Sequence, residues 1–111
     1  MSHKEIARIR SMDRMQELRS QLFEAIHSLQ SVEECYRFFE DLCTVNEVRH
    51  FALRLEIARR LRQGQTYLDI IIETNASSEC IARIKRNMAR GKGGLHRALD
   101  RLESNRQMNV F

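Results

Sequence analysis

Gln65-Thr-Tyr-Leu-Asp-Ile-Ile-Ile-Glu-Thr74, then Asn75-Ala-Ser77, then Ser78-Glu-Cys-Ile-Ala-Arg-Ile-Lys-Arg-Asn-Met-Ala-Arg90 is the stretch that decides the fold. It reads as a short helix, a tight turn and a second helix. Asn75 stands where the turn needs a residue that tolerates positive φ. Ser77 or Ser78 is suited to cap the second helix by accepting a hydrogen bond from an orphan amide. Beyond the cap, Ile81, Ile84 and Met88 recur at i, i+3, i+7 and share one face, with Cys80 at its edge. Glu79, Arg83, Arg86 and Arg90 fall on the opposite face. A helix-turn-helix needs this division: an apolar face that locks the second helix in place, and a polar face free to enter a major groove.

The basic face is costly on its own. Arg83, Arg86 and Arg90 are like-charged neighbours at i, i+3 and i, i+4, each pair opposing the helix by roughly 0.2–0.5 kcal/mol. Glu79 is the one counter-charge within reach, toward Arg83. A polyanion would remove the repulsion. The wider charge distribution agrees. The net charge of +4 over 111 residues is uneven: residues 78–111 hold eight basic and three acidic side chains, a net of +5, leaving eleven basic and twelve acidic, a net of −1, before them. Such concentration is the electrostatic footprint of nucleic-acid binding, although an anionic membrane or acidic protein would also respond to it.

The length fits one domain, residues 1–111, with a modest core that a small all-α chain often completes by dimerising. The absence of proline and the 42% apolar and 31% charged content suit a helical protein. No run of about 18 apolar residues occurs, so a membrane span is not expected, and the charged first twenty residues do not read as a signal peptide. Cys35, Cys43 and Cys80 lack C-x-x-C spacing and lie in or beside apolar segments, as reduced, buried thiols of a cytoplasmic protein do. His3, His27, His50 and His96 form no H-x-x-x-H pair. Neither a metal nor another cofactor is expected.

Taken in order, residues 1–11 carry little pattern and read as a frayed start. Met15, Leu18, Leu22, Phe23, Ile26 and Leu29 then give an amphipathic helix from about Met12 to Leu29. Ser31-Val-Glu-Glu34 reads as a capping box opening a helix to about Leu42, with either Tyr36, Phe39 and Cys43 or Val32, Cys35, Phe39 and Leu42 turned inward. Thr44-Val-Asn-Glu47 is a second box, opening the helix Val45 to Gln63 that Gly64 closes. That helix has two apolar stripes, Val48, Phe51, Ala52, Leu55 and Ala58 on one side and Leu53, Ile57 and Leu61 on the other. One stripe suffices for a surface helix, so two imply burial on both sides, one of them against a second subunit. Arg59, Arg60 and Arg62 suit the negative end of the helix dipole. Thr66 is a candidate cap for a helix over 66–74. Gly91 and Gly93-Gly94 make a flexible joint before a last helix, 94–104, with Leu95, Ala98, Leu99 and Leu102 on one face; the tail after Ser104 reads as disordered.

Cys-Tyr-Arg-Phe-Phe-Glu-Asp-Leu-Cys-Thr-Val-Asn-Glu (35–47) and Leu-Arg-Leu-Glu-Ile-Ala-Arg-Arg-Leu-Arg-Gln-Gly-Gln-Thr-Tyr-Leu-Asp-Ile (53–70) resemble the Trp-repressor superfamily, most closely its YerC/YecD-type branch. The resemblance extends from about Leu22 to Leu102. It implies an all-α homodimer of about six helices with interlocked N-terminal helices (12–63), one helix-turn-helix per subunit (65–90), and a two-fold-related operator. Where tryptophan-binding members hold their ligand with a Thr and two Arg, this chain has Thr44, Arg54 and Arg83. Those members follow the second Arg with Gly, and here Ile84 would fill the indole space; Asn87 replaces a Ser beside the ligand's amino group. Tryptophan is therefore not expected to act, and the resemblance identifies no other effector. Ile71 stands where such motifs usually have Ala, a change that would open the inter-helix angle, and Asn75 stands where Gly is usual. Ser78, Cys80 and Ala82 replace residues commonly Thr, Thr and Ser in that branch, so its base preference does not transfer.

The expected function is a sequence-specific DNA-binding transcriptional regulator acting on double-stranded DNA. Thr66, Tyr67, Lys85, Arg86 and Arg90 are the candidate phosphate contacts, with the amides at the start of the second helix near Ser77. Ser78, Glu79, Ala82 and Arg83 are the candidate base readers: Arg83 pairs with guanine, Glu79 accepts from cytosine, and Ala82 touches a thymine methyl. One alternative is a degenerate family member acting as a protein-interaction dimer. Another is a small all-α enzyme, because Met15–Ile26 looks faintly like the first helix of chorismate mutases. No paired carboxylates or nucleophile–base set supports catalysis, so the chain is not expected to be an enzyme.

Overall fold

α3 (Val45–Arg62) is the helix on which α4 (Tyr67–Thr74), α5 (Ser78–Arg90) and α6 (Gly94–Asn109) all pack. The computed structural model describes residues 1–109, and these hold two further helices, α1 (His3–His27) and α2 (Val32–Leu42), and no strand. The all-helical expectation holds. Two compact units divide the chain, Met1–Thr44 and the residues from Val45 onward.

In the second unit, Ile57 and Ala58 of α3, Ile70 of α4, Ala76 of the turn, Ile81 and Ile84 of α5 and Leu99 of α6 form one buried cluster. Leu53, Leu61, Met88 and Leu95 pack around it. Each buried isoleucine contributes about 1.5–3 kcal/mol relative to exposure. The two stripes of α3 therefore behave differently. The Leu53–Ile57–Leu61 side is covered, while Val48, Phe51 and Leu55 on the other side stay exposed, Phe51 at 51%. Ala58 differs from expectation: it lies at the edge between the stripes and is fully buried with Ile57.

The first unit contains no fully buried residue. Ile26, Leu29, Cys35, Phe38, Phe39 and Cys43 are half-buried, with the Phe38 and Phe39 rings edge-to-face at 5.3 Å. Tyr36, Val32 and Leu42, expected to turn inward, point outward, and Phe23 is 60% exposed. The frayed start is also corrected. Ser2 and Glu5 form a capping box, with the Glu5 amide donating to Ser2 Oγ at 3.2 Å, and α1 is helical from His3. In α2 the Glu34 amide does donate to Ser31 Oγ at 3.1 Å, but the Glu34 carboxylate accepts from the Gln30 amide at 2.7 Å rather than from Ser31.

Helix ends in the second unit are set by specific groups. Gly64 closes α3 at φ +81°, a conformation without penalty for glycine alone. The Gly91 amide donates to the Asn87 carbonyl at 2.7 Å, and a Cβ on Gly91 would lie 2.5 Å from that same oxygen. α6 runs past Ser104 to Asn109 because residues 104–109 contain no Gly or Pro, and Arg106 in the last turn suits the negative end of the dipole; Val110 and Phe111 of the expected disordered tail lie outside the described residues.

The arginines closing α3 have partners more specific than the dipole. Arg59 and Arg60 both bond the Glu56 carboxylate, Arg60 Nε at 3.0 Å, and Arg60 also reaches Gln65. Arg62 donates to the His96 carbonyl at 2.8 Å and pairs with Asp100, tying α3 to α6. The Arg59 hydrogen bond, which outweighs the opposing desolvation, and the charges of Arg59 and Arg60 hold the Glu56 carboxyl below its ordinary value of 4.5. Because the folded pKa is lowered, this stabilisation is complete above the unfolded value and is lost as pH falls through the folded one. Glu56→Gln should lower stability at pH 7 by about 0.5–1 kcal/mol, the range for two partly exposed helix pairs. Urea titrations of both proteins should differ at pH 7 and converge as the pH drops below 4.5; an equal gap at both ends would refute the assignment.

Candidate nucleic-acid interface

The turn between α4 and α5 is fixed by short-range chemistry. Asn75 adopts φ 59°, ψ 21°, the left-handed region expected of it, and its amide donates to the Ile71 carbonyl at 2.8 Å. Thr74 Oγ1 donates to the Ile70 carbonyl at 2.6 Å and accepts from the Ala76 amide at 3.2 Å, so one hydroxyl closes α4 and starts the turn. Ala76 then points into the core. Ser77, the first of the two candidate serines, is the cap of α5: its Oγ accepts from the Cys80 amide at 3.1 Å. Thr66 caps α4 in a full box with Asp69, their reciprocal bonds at 3.1 and 3.3 Å. Ile71 is half-buried at the edge of the core.

This frame sets the direction of every side chain on α5. Ile81 and Ile84 are buried and Cys80 and Met88 pack beside them, as their spacing requires. Ser78, Glu79, Arg83, Lys85, Arg86 and Arg90 are exposed, and Ala82 is half-buried between the faces. Among the described residues, Glu79 forms no ion pair with Arg83, contrary to the expected intrahelical compensation. Arg83, Arg86 and Arg90 therefore point outward without a carboxylate partner. The first-turn amides of α5 and the positive end of its dipole lie at the same end as Ser78 and Glu79.

Thr66 and Tyr67 begin α4 beside this face. Tyr67 is half-buried, and the Lys85 ammonium lies 5.6 Å from the centre of its ring. Thr66, Tyr67, Lys85, Met88, Ala89 and His96 line part of an open cleft of about 500 Å³. The sequence alone names Tyr67 and Lys85 separately but gives no sign of their pairing. They are eighteen residues apart and meet only because α4 and α5 share one core.

The residues matched to a tryptophan site are placed as follows. Arg54 is exposed, its guanidinium 5.9 Å from the Phe51 ring centre, and Arg83 is exposed on α5; Thr44 ends the first unit. Ile84 is 4% exposed, its branched side chain packed into the core cluster. Among the described residues no group of His, Cys, Asp and Glu is placed to hold a metal, and no helix is long and apolar enough to cross a membrane.

Comparison with known proteins matches residues 16–103 to the family described as Trp repressor protein. The uncharacterised protein YerC of Bacillus subtilis (strain 168) is 53% identical over 83 residues, 75% of this chain and 80% of its own length. A crystal structure of a candidate Trp repressor from Staphylococcus aureus is similar, with a TM-score of 0.74, 42% identity, and coverage of 78% of this chain and 87% of that one. A TrpR-like protein from Eubacterium eligens ATCC 27750 matches with a TM-score of 0.72, 45% identity, and coverage of 76% and 87%.

The buried Ile84 leads to a direct expectation for free tryptophan. A ligand that binds only the folded state stabilises it by about 2.7 kcal/mol at a hundred times its dissociation constant. Millimolar tryptophan should leave the melting temperature unchanged; a clear upward shift in a thermal scan would show that indole still finds room.

Proposed function

Because this chain belongs to the Trp repressor family, we propose that it is a sequence-specific DNA-binding transcriptional regulator that acts as a homodimer and inserts α5 into the major groove. The observation that carries this reading is the outer face of α5: a capped helix N-terminus followed along the helix by a row of exposed arginines without carboxylate partners, backed by a buried isoleucine face. Thr66, Lys85, Arg86 and Arg90 meet phosphates, with Tyr67 beside them, and Ser77 sets the amides that do the same. Ser78, Glu79, Ala82 and Arg83 face base edges. The chain works by binding rather than catalysis. DNA as the ligand and three free thiols fit a cytoplasmic protein.

Dimerisation has its own support. Val48, Phe51 and Leu55 leave one side of α3 uncovered, and α1 and α2 bury no residue completely. Residues 12–63 are the proposed dimerisation helices, with the motif at 65–90 and the helix from Gly94 following them. Two copies related by a two-fold axis would present two reading heads to related half-sites about 34 Å apart. One observation favours a second reading: Leu68 and Ile72 on the outer side of α4 are 65% and 70% exposed, as a protein-interaction dimer would use them.

Selection of random duplexes by the purified protein decides between the two. Enrichment of a palindromic site supports the regulator, and no enrichment at low salt supports the interaction protein. Sedimentation should show a dimer at micromolar concentration, since separation would return α3's apolar stripe to water at roughly 25 cal/mol per Å²; a stable folded monomer would refute the pairing.

Two arginines should behave differently on the selected site. Arg83 lies about 7.5 Å along α5 from Ser78 and Arg90 about 18 Å, taking 1.5 Å per residue. Arg90→Ala should weaken all duplexes about equally and lower the salt slope by roughly 1 for each phosphate it no longer neutralises. Arg83→Ala should cost about 1–3 kcal/mol on the preferred site and flatten discrimination at one base pair per half-site. Melting temperatures measured beside binding separate this from an effect on folding. If both variants bind matched and mismatched duplexes like the unaltered protein, α5 is not the reading head.

A further inference from the structure

Lys85 differs from the other cations of α5 in having a defined place. The residues three and four positions away are Ile81, Ala82, Met88 and Ala89, so no intrahelical carboxylate can hold its ammonium. Among the described residues it forms no ion pair, and the group that faces it is the Tyr67 ring at 5.6 Å. That distance lies within the range over which the negative face of an aromatic ring attracts a cation. The ring itself is well anchored. Tyr67 is the first residue of α4, lies inside the Thr66–Asp69 capping box, and packs against the buried cluster. Nearby Arg62 is already engaged with His96 and Asp100. The ammonium therefore sits at the cleft where α4 begins and α5 passes.

A lysine has four rotatable bonds, and ordering them on binding opposes association. A ring that restricts them beforehand lowers that cost. Resting on the proposed DNA-binding reading, we infer that Tyr67 is a positioning residue that acts through its ring, not its hydroxyl. It holds Lys85 ready for one phosphodiester of the duplex backbone, beside the start of α4. A direct phosphate role for the Tyr67 hydroxyl makes the opposite prediction for the phenylalanine variant.

The test uses the full chain and the duplex that the unaltered protein selects. Tyr67→Phe, Tyr67→Leu, Lys85→Met and the Leu/Met double variant are compared by affinity, by the slope of log K against log salt, and by melting temperature. Lys85→Met should lower the slope by about 0.9 for each phosphate left without its lysine, or about 1.8 for a dimer. Tyr67→Phe should bind like the unaltered protein. Tyr67→Leu should weaken binding toward the Lys85→Met level, and the double variant should be no weaker than Lys85→Met alone. A loss with Tyr67→Phe equal to that with Lys85→Met would overturn the inference in favour of the hydroxyl. A folded Tyr67→Leu protein with unaltered affinity would also overturn it. Ring-current shifts read the pairing without DNA and remain available if Tyr67→Leu does not fold: the Lys85 side-chain methylene protons should be shifted upfield in the unaltered protein and in Tyr67→Phe, and random-coil positions there would overturn it. A wild-type protein that binds no duplex would instead remove the DNA-binding reading on which the inference rests.

Discussion

α3 carries apolar side chains on two sides, and α4, α5 and α6 of its own unit pack on one of them. Ile57 and Ala58 are wholly buried against α4, α5 and α6, whereas Phe51 and Leu55 on the other side remain in contact with water. Everything in the second unit takes its position from the covered side. α5 packs on α3 through Ile81 and Ile84, and this fixes which residues of α5 turn outward. The polar face is thus a consequence of the apolar one. Helical period puts Glu79 and Arg83 on one face, and the buried isoleucines turn that face outward.

Much of this arrangement was legible because it is written in local rules. Asn75 in the left-handed region, Ser77 as a cap, and the Ile81–Ile84–Met88 face all follow from short-range sterics and helical period. The short helix at Tyr67–Thr74 is rich in β-branched residues, which favour strands, but its Thr66–Asp69 box and the hydroxyl of Thr74 hold it as helix. Family resemblance was visible in two blocks of residues on either side of α3's first turns, and the match over residues 16–103 includes both.

Residues 3–11 have no strong apolar stripe, so periodicity missed a helix that a capping box at Ser2 and Glu5 starts. The stretch after Ser104 lacks a hydrophobic face, yet helix propagation costs little once a preceding turn exists and no Gly or Pro intervenes. Partners distant in sequence were the least legible. Arg62 with Asp100 and Tyr67 with Lys85 depend on how helices stack, and composition cannot reveal that. Arg59, Arg60 and Arg62 stand in the last turn of α3, and the Glu56 carboxylate one turn back gathers two of them.

The outer face of α5 is separate from the interactions that keep the protein folded. Ser78, Glu79, Arg83 and Arg86 are exposed, and among the described residues no side-chain hydrogen bond or ion pair joins them to the rest of the fold. Exposed positions of this kind tolerate exchange at small energetic cost. Descendants of this gene could therefore alter these four side chains, one at a time, while the isoleucine cluster stayed intact. The scaffold would be inherited while the outer face diversified, so close relatives with nearly identical backbones need not present the same side chains on it.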